Sequence, residues 1–298
     1  MRLRNAFTVD VEDYYHVSAF EKHIARTDWD DHESRVVANT HRLLQLLDRH
    51  HTHATFFILG WVAERFPHLV REIQAGGHEI GSHGSWHSLI YRLTPEQFRE
   101  DLVRSRDLLQ DLTGQPVVAF RAPSFSVTRQ SLWALEILAE EGFRFDASIF
   151  PIYHDRYGIP DAPEAIHPIE TAAGTVWEFP GSVLRLGPVN LPVSGGGYFR
   201  LYPLAWTQWC LTQINAKHAR PFVFYVHPWE VDPEQPRLRA GSRLDRMRHY
   251  VNLKTTERKL DVLLEQFSFG PVSTIIEEAI ARHRNALGSD AVSNLLAN

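Results

Sequence analysis

An α/β barrel is the fold that this 298-residue sequence predicts, on three observations. Apolar, β-prone runs alternate with amphipathic helical segments at the rhythm of βαβ units, which build a parallel sheet. One run, Thr55-Phe56-Phe57-Ile58-Leu59, is apolar or β-branched throughout, as suits a strand covered on both faces. The polar residues Asp10, His83, Arg121 and Asp146 fall at strand ends, the rim where barrels carry their chemistry.

The elements follow in order. Phe7-Thr8-Val9-Asp10-Val11 opens the chain as a short strand. Between residues 36 and 49, Val36, Leu43, Leu44 and Leu47 line one helical stripe. After the strand at 55–59, Pro67 suits the first turn of a helix that stops at Gly76-Gly77. His78-Glu79-Ile80 reads as a third strand. Thr94-Pro95-Glu96-Gln97 is the clearest helix start, with a capping hydroxyl, proline at the first helical position and Gln97 completing a capping box. Phe98, Leu102, Ser105, Leu109 and Leu112 continue it until Gly114. The strand Pro116–Phe120, a helix opened by Thr128 and running to Gly142, and the strand Phe143–Asp146 complete the first half.

From about Tyr153 to Tyr202, proline, glycine and short β runs replace this rhythm. No strong helix is expected there, only loops or hairpins that could cover a substrate. Helical texture returns at Leu204–His218, the strand Pro221–Val226 leads into His227-Pro228-Trp229, and Thr255–Phe267 is a last amphipathic helix. The division expected is a barrel over residues 1–230, insertion included, with 231–298 as a C-terminal extension packed on it. The N-terminus lacks the apolar stretch of a signal peptide, and no run approaches the length of a membrane span, so a cytoplasmic location is expected.

Lys and Arg number 31 and Asp and Glu 36, a net charge of −5, which gives no global reason to bind nucleic acid. One cysteine, Cys210, excludes an internal disulfide and a multi-cysteine metal site. Any metal must therefore be held by imidazole and carboxylate. His83 and His87 form an H-x3-H pair that, on a helical turn, presents both rings to one face. With 17 histidines, about one such pair is expected by chance, so its weight comes from its place beyond a strand end. Asp10, Glu12 and Asp13 are three carboxylates in four residues, which repel unless a cation or protons intervene. Strand periodicity puts Asp10 and Glu12 on one face. Arg121, its path fixed by Pro123, can pair a carboxylate and keep it ionised. His227 ends the most apolar strand, and Asp146 is expected to orient its imidazole.

Taken in order, Thr8-Val9-Asp10-Val11-Glu12-Asp13, His83-Gly84-Ser85-Trp86-His87, Arg121-Ala122-Pro123-Ser124-Phe125, Asp146 and Tyr225-Val226-His227 resemble the five motifs of the polysaccharide deacetylases, the NodB-homology or carbohydrate esterase family four. The stretches at 7–16, 121–126, 194–199 and 225–230 look like the subfamily associated with exosortase and exopolysaccharide loci, which carries a C-terminal extension. The resemblance implies a distorted (β/α) barrel of about seven strands. It also implies removal of N-acetyl groups from an amino-sugar polysaccharide or its precursor, in exopolysaccharide biosynthesis. In that reading His83, His87 and either Glu12 or Asp13 hold a divalent metal, with zinc expected. Asp10 is the general base, Arg121 holds it ionised, and protonated His227 is the general acid. Pro123 and Trp229 are expected to contact substrate.

Three departures stand out. The first motif reads Asp-Val-Glu-Asp instead of two adjacent aspartates. Gly84 replaces the usual Ser or Thr, and Ser124-Phe125 stands where a tyrosine is usual. The competing readings are a cyclic amide or ureide hydrolase on the same barrel, an iron oxygenase built on two histidines and a carboxylate, and a non-catalytic glycan-binding module using the eight Trp and nine Tyr.

Overall fold

The computed structural model describes residues 3–154 and 156–282, so the end of the expected extension, 283–298, lies outside the described residues. Strands and helices alternate through β1 (Arg4–Val11), α1 (Val36–Arg49), β2 (Thr55–Ile58), α2 (Gly60–Arg65), α3 (Pro67–Ala75), β3 (Glu79–Ser82), α4 (Pro95–Thr113), β4 (Ala119–Phe120), α5 (Trp133–Glu140) and β5 (Phe145–Asp146). The insertion supplies two hairpins, β6 (His167–Thr171) with β7 (Gly174–Glu178) and β8 (Val183–Leu186) with β9 (Val189–Pro192). Then come α6 (Gly196–Leu201), α7 (Leu204–Lys217), β10 (Val223–Val226), α8 (Arg243–Tyr250), α9 (Leu253–Gln266) and β11 (Ser268–Gly270).

The main sheet runs β10-β1-β2-β3-β4-β5-β7-β6, and all of its pairings except β6 with β7 are parallel. Among the described residues this ladder holds seven parallel strands, the number expected from the sequence. The outer edge of β10 is met by the segments flanking the β8–β9 hairpin. The Val223 N–H donates to Ser182 Oγ at 2.9 Å and the Tyr225 N–H to the Ser194 carbonyl at 3.1 Å. Strand β11 pairs with the start of β1, which ties the C-terminal segment into the sheet.

Local chemistry explains most element ends. Thr94 Oγ1 accepts the Gln97 N–H and Gln97 Oε1 accepts the Thr94 N–H, the full capping box, worth about 1 kcal/mol. One element was not expected: α6 lies inside the insertion. Its six residues begin Gly-Gly and are too few for hydrophobic periodicity to announce it.

Alternation along the strands sorts the core into two compartments. Phe7, Val9, Phe56, Phe120, Phe224 and Val226 point outward to the helices. Ala6, Phe57, Ala119, Phe145, Ala147 and Val223 point inward, against Val272, Ile275 and Ile276. Period-two geometry then directs Thr8 and Asp10 inward above Ala6, Arg121 above Ala119, and Tyr225 and His227 above Val223. The barrel interior is apolar at one end and ionic at the carboxyl ends of its strands.

Candidate active site

At that end Glu12, His83 and His87 bring three ligand atoms within 4.8 Å of one another, all three side chains being buried. Asp13 is not one of them. Its carboxylate accepts Ser34 Oγ at 2.6 Å and the N–H groups of Arg35 and Val36 at 2.9 and 3.2 Å, so it binds the amino end of α1. The two acidic candidates thus part at the point where β1 ends.

The three-residue group fits a cation. Glu12 Oε2 lies 2.6 Å from His87 Nε2, yet this buried oxygen has no hydrogen bond of acceptable geometry. Two lone-pair atoms that converge without bonding each other are what a shared metal ion would satisfy. His83 Nδ1 donates to the Arg121 carbonyl at 2.8 Å, which leaves Nε2 free as a ligand atom. Burial, the largest influence, pushes the His83 imidazole down to about 4, so it stays neutral. Burial would raise Glu12, but His87, His227 and His83 together hold its carboxyl below the usual carboxylate range.

The H-x3-H pair does not sit on a helical turn, as expected from its spacing. It spans an irregular loop after β3, bent by Gly84 at φ +71° and by His87 itself at φ +52°. A non-glycine residue held in the left-handed region costs about 1–3 kcal/mol, and such strain gathers at functional sites. The loop is clamped from two sides. The Gly60 and Trp61 N–H groups donate to the Gly84 and Ser85 carbonyls at 2.8 and 3.0 Å, and the Ser85 N–H donates to Asp101 Oδ2 at 2.8 Å. A Cβ on residue 84 would meet that same oxygen at 2.7 Å. This loop therefore requires glycine where the resembling family usually has a hydroxyl residue.

Asp10 and Arg121 form one wall. Arg121, fully buried, donates through Nη1 to Asp10 Oδ1 at 2.8 Å and Thr8 Oγ1 at 2.6 Å, and through Nε to the Ala147 carbonyl at 3.1 Å. The other Asp10 oxygen, Oδ2, lies 3.9 Å from His227 Nε2, and Glu12 Oε1 lies 3.8 Å from that same nitrogen.

His227 is oriented by Glu230, which the sequence reading missed. Nδ1 lies 3.1 Å from Glu230 Oε2, and the same oxygen accepts the His227 N–H at 3.0 Å. Arg200 Nε donates to Glu230 Oε1 at 2.7 Å. Burial would raise Glu230, but Arg200 and His227 hold it down at about 2. Burial likewise opposes protonation of His227, but Glu230, Glu12 and Asp10 outweigh it and lift the imidazole to about 9. The available signal was Pro228 followed by Glu230: His227 caps a short turn whose third residue is the carboxylate.

Asp146 does not orient His227. Phe145 and Ala147 point inward, so Asp146 faces the other way, in register with Glu178 on β7. Asp146 Oδ1 accepts Ser148 Oγ at 2.5 Å, and Ser148 Oγ accepts the Ala122 N–H at 2.8 Å. Asp146 therefore acts on the backbone next to Arg121. Burial, with mutual repulsion, raises both carboxyls of the Asp146–Glu178 pair. A carboxyl raised on folding gives stability below its unfolded value that is lost as pH rises through the folded one. Asp146→Asn removes one partner of that pair. The melting temperature of the variant is expected to gain on wild type as pH rises from 5 to about 9, followed by thermal unfolding. A constant difference across that range would count against the shared-proton pair.

The two expected substrate contacts are corrected as well. Pro123 is buried at the start of a turn, where Ser124 and Phe125 both have positive φ, so it fixes backbone and offers no face to a sugar. Trp229 is buried, and its Nε1–H donates to Glu12 Oε1 at 3.2 Å. Its ring stacks between His227 and His249 at 5.1 and 4.3 Å. Beside it opens a cavity of about 210 Å³ lined by Ser124, Tyr91, Tyr157, Arg200, Arg248 and other residues.

Residues 19–144 match the family model described as Polysaccharide deacetylase. The chain carries a polysaccharide deacetylase domain. Residues 147–277 match a second model, a domain of unknown function designated DUF3473. The first match contains His83, His87 and Arg121; the second contains Asp146, His227 and Glu230; Asp10 and Glu12 precede both. A peptidoglycan deacetylase of Helicobacter pylori is 33% identical over 121 residues, 39% of this chain and 40% of that protein, so the chain spans well under half the length of this relative. A crystal structure of a polysaccharide deacetylase from Mycobacterium smegmatis superposes with a TM-score of 0.60 at 19% identity, over 93% of this chain and 90% of that one. The PuuE allantoinase superposes equally well, with a TM-score of 0.61 at 17% identity over 95% and 91%. The shared fold thus accommodates both names, and the reaction must be argued from the side chains.

Proposed function

We propose that this protein is a metal-dependent hydrolase that removes N-acetyl groups from an amino-sugar polysaccharide or its precursor, acting in exopolysaccharide biosynthesis. One observation carries the reading: Asp10 and His227 face each other across the Glu12–His83–His87 group, each backed by its own charged partner. A divalent cation held by those three residues, zinc on the chemistry of the donor set, would lower the pKa of water and polarise the acetamide carbonyl.

The protein's own residues then divide the proton transfers. Asp10 Oδ2 takes the proton of the attacking water, while Oδ1 stays bound to Arg121 and keeps the carboxylate oriented. His227 Nε2, protonated because Glu230 holds Nδ1, gives its proton to the departing sugar amine. Trp229 holds the second oxygen of Glu12 in place. The products are acetate and a free amine. The two carboxylates nearest the centre are thus separated in role by their partners, an arginine for Asp10 and imidazoles for Glu12.

The test is acetate release from N-acetylated oligosaccharides, with a cyclic ureide in the same panel because the fold alone does not choose between them. His87→Ala is expected to lower bound metal by about 10-fold or more and acetate release with it. Full release by the variant, or turnover of the ureide alone, would overturn the reading.

A further inference from the structure

From Arg237 to Arg248 the chain carries five arginines and one aspartate, inside a protein whose net charge is −5. Asp245 is already engaged, with the Ser242 cap and with Arg156 at 3.2 Å. Arg237 stacks on Tyr250 at 4.2 Å, and Arg246 Nη1 donates to the Gly241 carbonyl at 2.7 Å. The other three, Arg239, Arg243 and Arg248, are exposed and have no carboxylate partner among the described residues.

On α8, residues 243, 244, 247 and 248 fall on one helical face. That face alternates the two arginines with Leu244 and Met247, which are 48% and 54% exposed. The opposite face is the packed one: His249 is buried against Trp229 and Phe20. An outward stripe that mixes large apolar side chains with unpaired arginines has no folding explanation, because the helix is already docked through its other side.

The geometry points to a docking face for an anionic phospholipid surface, formed by Arg239 and the outer stripe of α8. Charge complementarity selects an anionic surface, and Leu244 with Met247 selects one with an apolar layer beneath its headgroups, as for a basic amphipathic helix lying in the interface. A long soluble polyanion would gain nothing from those two side chains and would meet the acidic remainder of the chain. Helix α8 also borders the cavity beside Trp229 through Asp245, Arg248 and His249. Docking this face therefore brings the mouth of that cavity to the bilayer, where a lipid-borne glycan would be presented.

The experiment is co-sedimentation of the full chain with phosphatidylcholine vesicles containing about one third phosphatidylglycerol, against pure phosphatidylcholine and against soluble dextran sulfate. Wild type is expected to pellet with the anionic vesicles at low salt, to be released as salt rises, and not to pellet with the neutral ones. An arginine at an anionic surface contributes about fivefold (about 1 kcal/mol), so Arg239→Glu with Arg243→Glu is expected to weaken the partition by at least about 25-fold. Leu244→Ser with Met247→Ser is expected to weaken vesicle binding by about 10-fold or more while leaving any dextran sulfate binding unchanged. These four positions are exposed and outside the active site, so the melting temperature and acetate release from a soluble oligosaccharide stay as in wild type. Equal pelleting with neutral vesicles, no pelleting at all, or an unchanged partition in either double variant would overturn the proposal. Vesicle binding needs no turnover, so its outcome is independent of the hydrolase reading.

Discussion

Asp10→Asn is expected to cut acetate release per bound metal by about 10²–10⁴-fold, the usual contribution of a positioned proton acceptor, while metal content stays at the wild-type level. Asp10 is outside the group that would hold the cation, so its loss removes proton transfer without removing a ligand. An asparagine oxygen at the Oδ1 position still accepts Arg121 Nη1, so the buried guanidinium keeps a partner and the fold is retained. The measurement is acetate produced per metal ion bound, with the melting temperature as the folding control. Undiminished turnover by the variant would remove Asp10 from the mechanism. If metal were lost along with activity, Asp10 would instead be a ligand.

How far the site was legible in the sequence depended on which side of a strand end each residue falls. Thr8, Asp10, Arg121 and His227 were readable because strand period and strand end fix both depth and direction, and neither depends on distant parts of the chain. Glu12 and Asp13 were not separable, because β1 stops between them and the direction of each is set by what lies beyond. Asp13 is drawn to the backbone N–H groups of α1, more than 20 residues further on. Asp146 was misjudged for a related reason. Its position one residue past Phe145 sends it to the outer face of a strand only two residues long, and two residues show no period to read. The insertion was recognised by its glycine and proline texture, but its contribution to the site, Arg200 on α6, comes from a helix too short to leave a pattern. Long elements with local determinants, such as α4 with its capping box, matched expectation almost to the residue.

The sharpest consequence of that correction is at Glu230. Glu230→Gln removes the charge that fixes His227 Nδ1, and acetate release is expected to fall by about 10²-fold or more, in the range of a displaced general acid. The sign of its pH effect follows from the same pair. Glu230 is among the groups that lift the His227 imidazole, so its neutralisation lets His227 lose its proton at lower pH. Since the donor must be protonated to serve the leaving amine, the alkaline limb of the rate profile is expected to move to lower pH. The amide oxygen still accepts Arg200 Nε, which limits the damage of leaving a buried arginine without its counter-charge, a defect that otherwise costs about 3–5 kcal/mol. Asp146→Asn is the matched control, because it changes an equally buried carboxylate that faces away from His227. The profile of that variant is expected to keep its alkaline limb where wild type has it. A shift in Asp146→Asn with none in Glu230→Gln would restore Asp146 as the orienting residue and would mean that the Glu230 contact serves the turn alone.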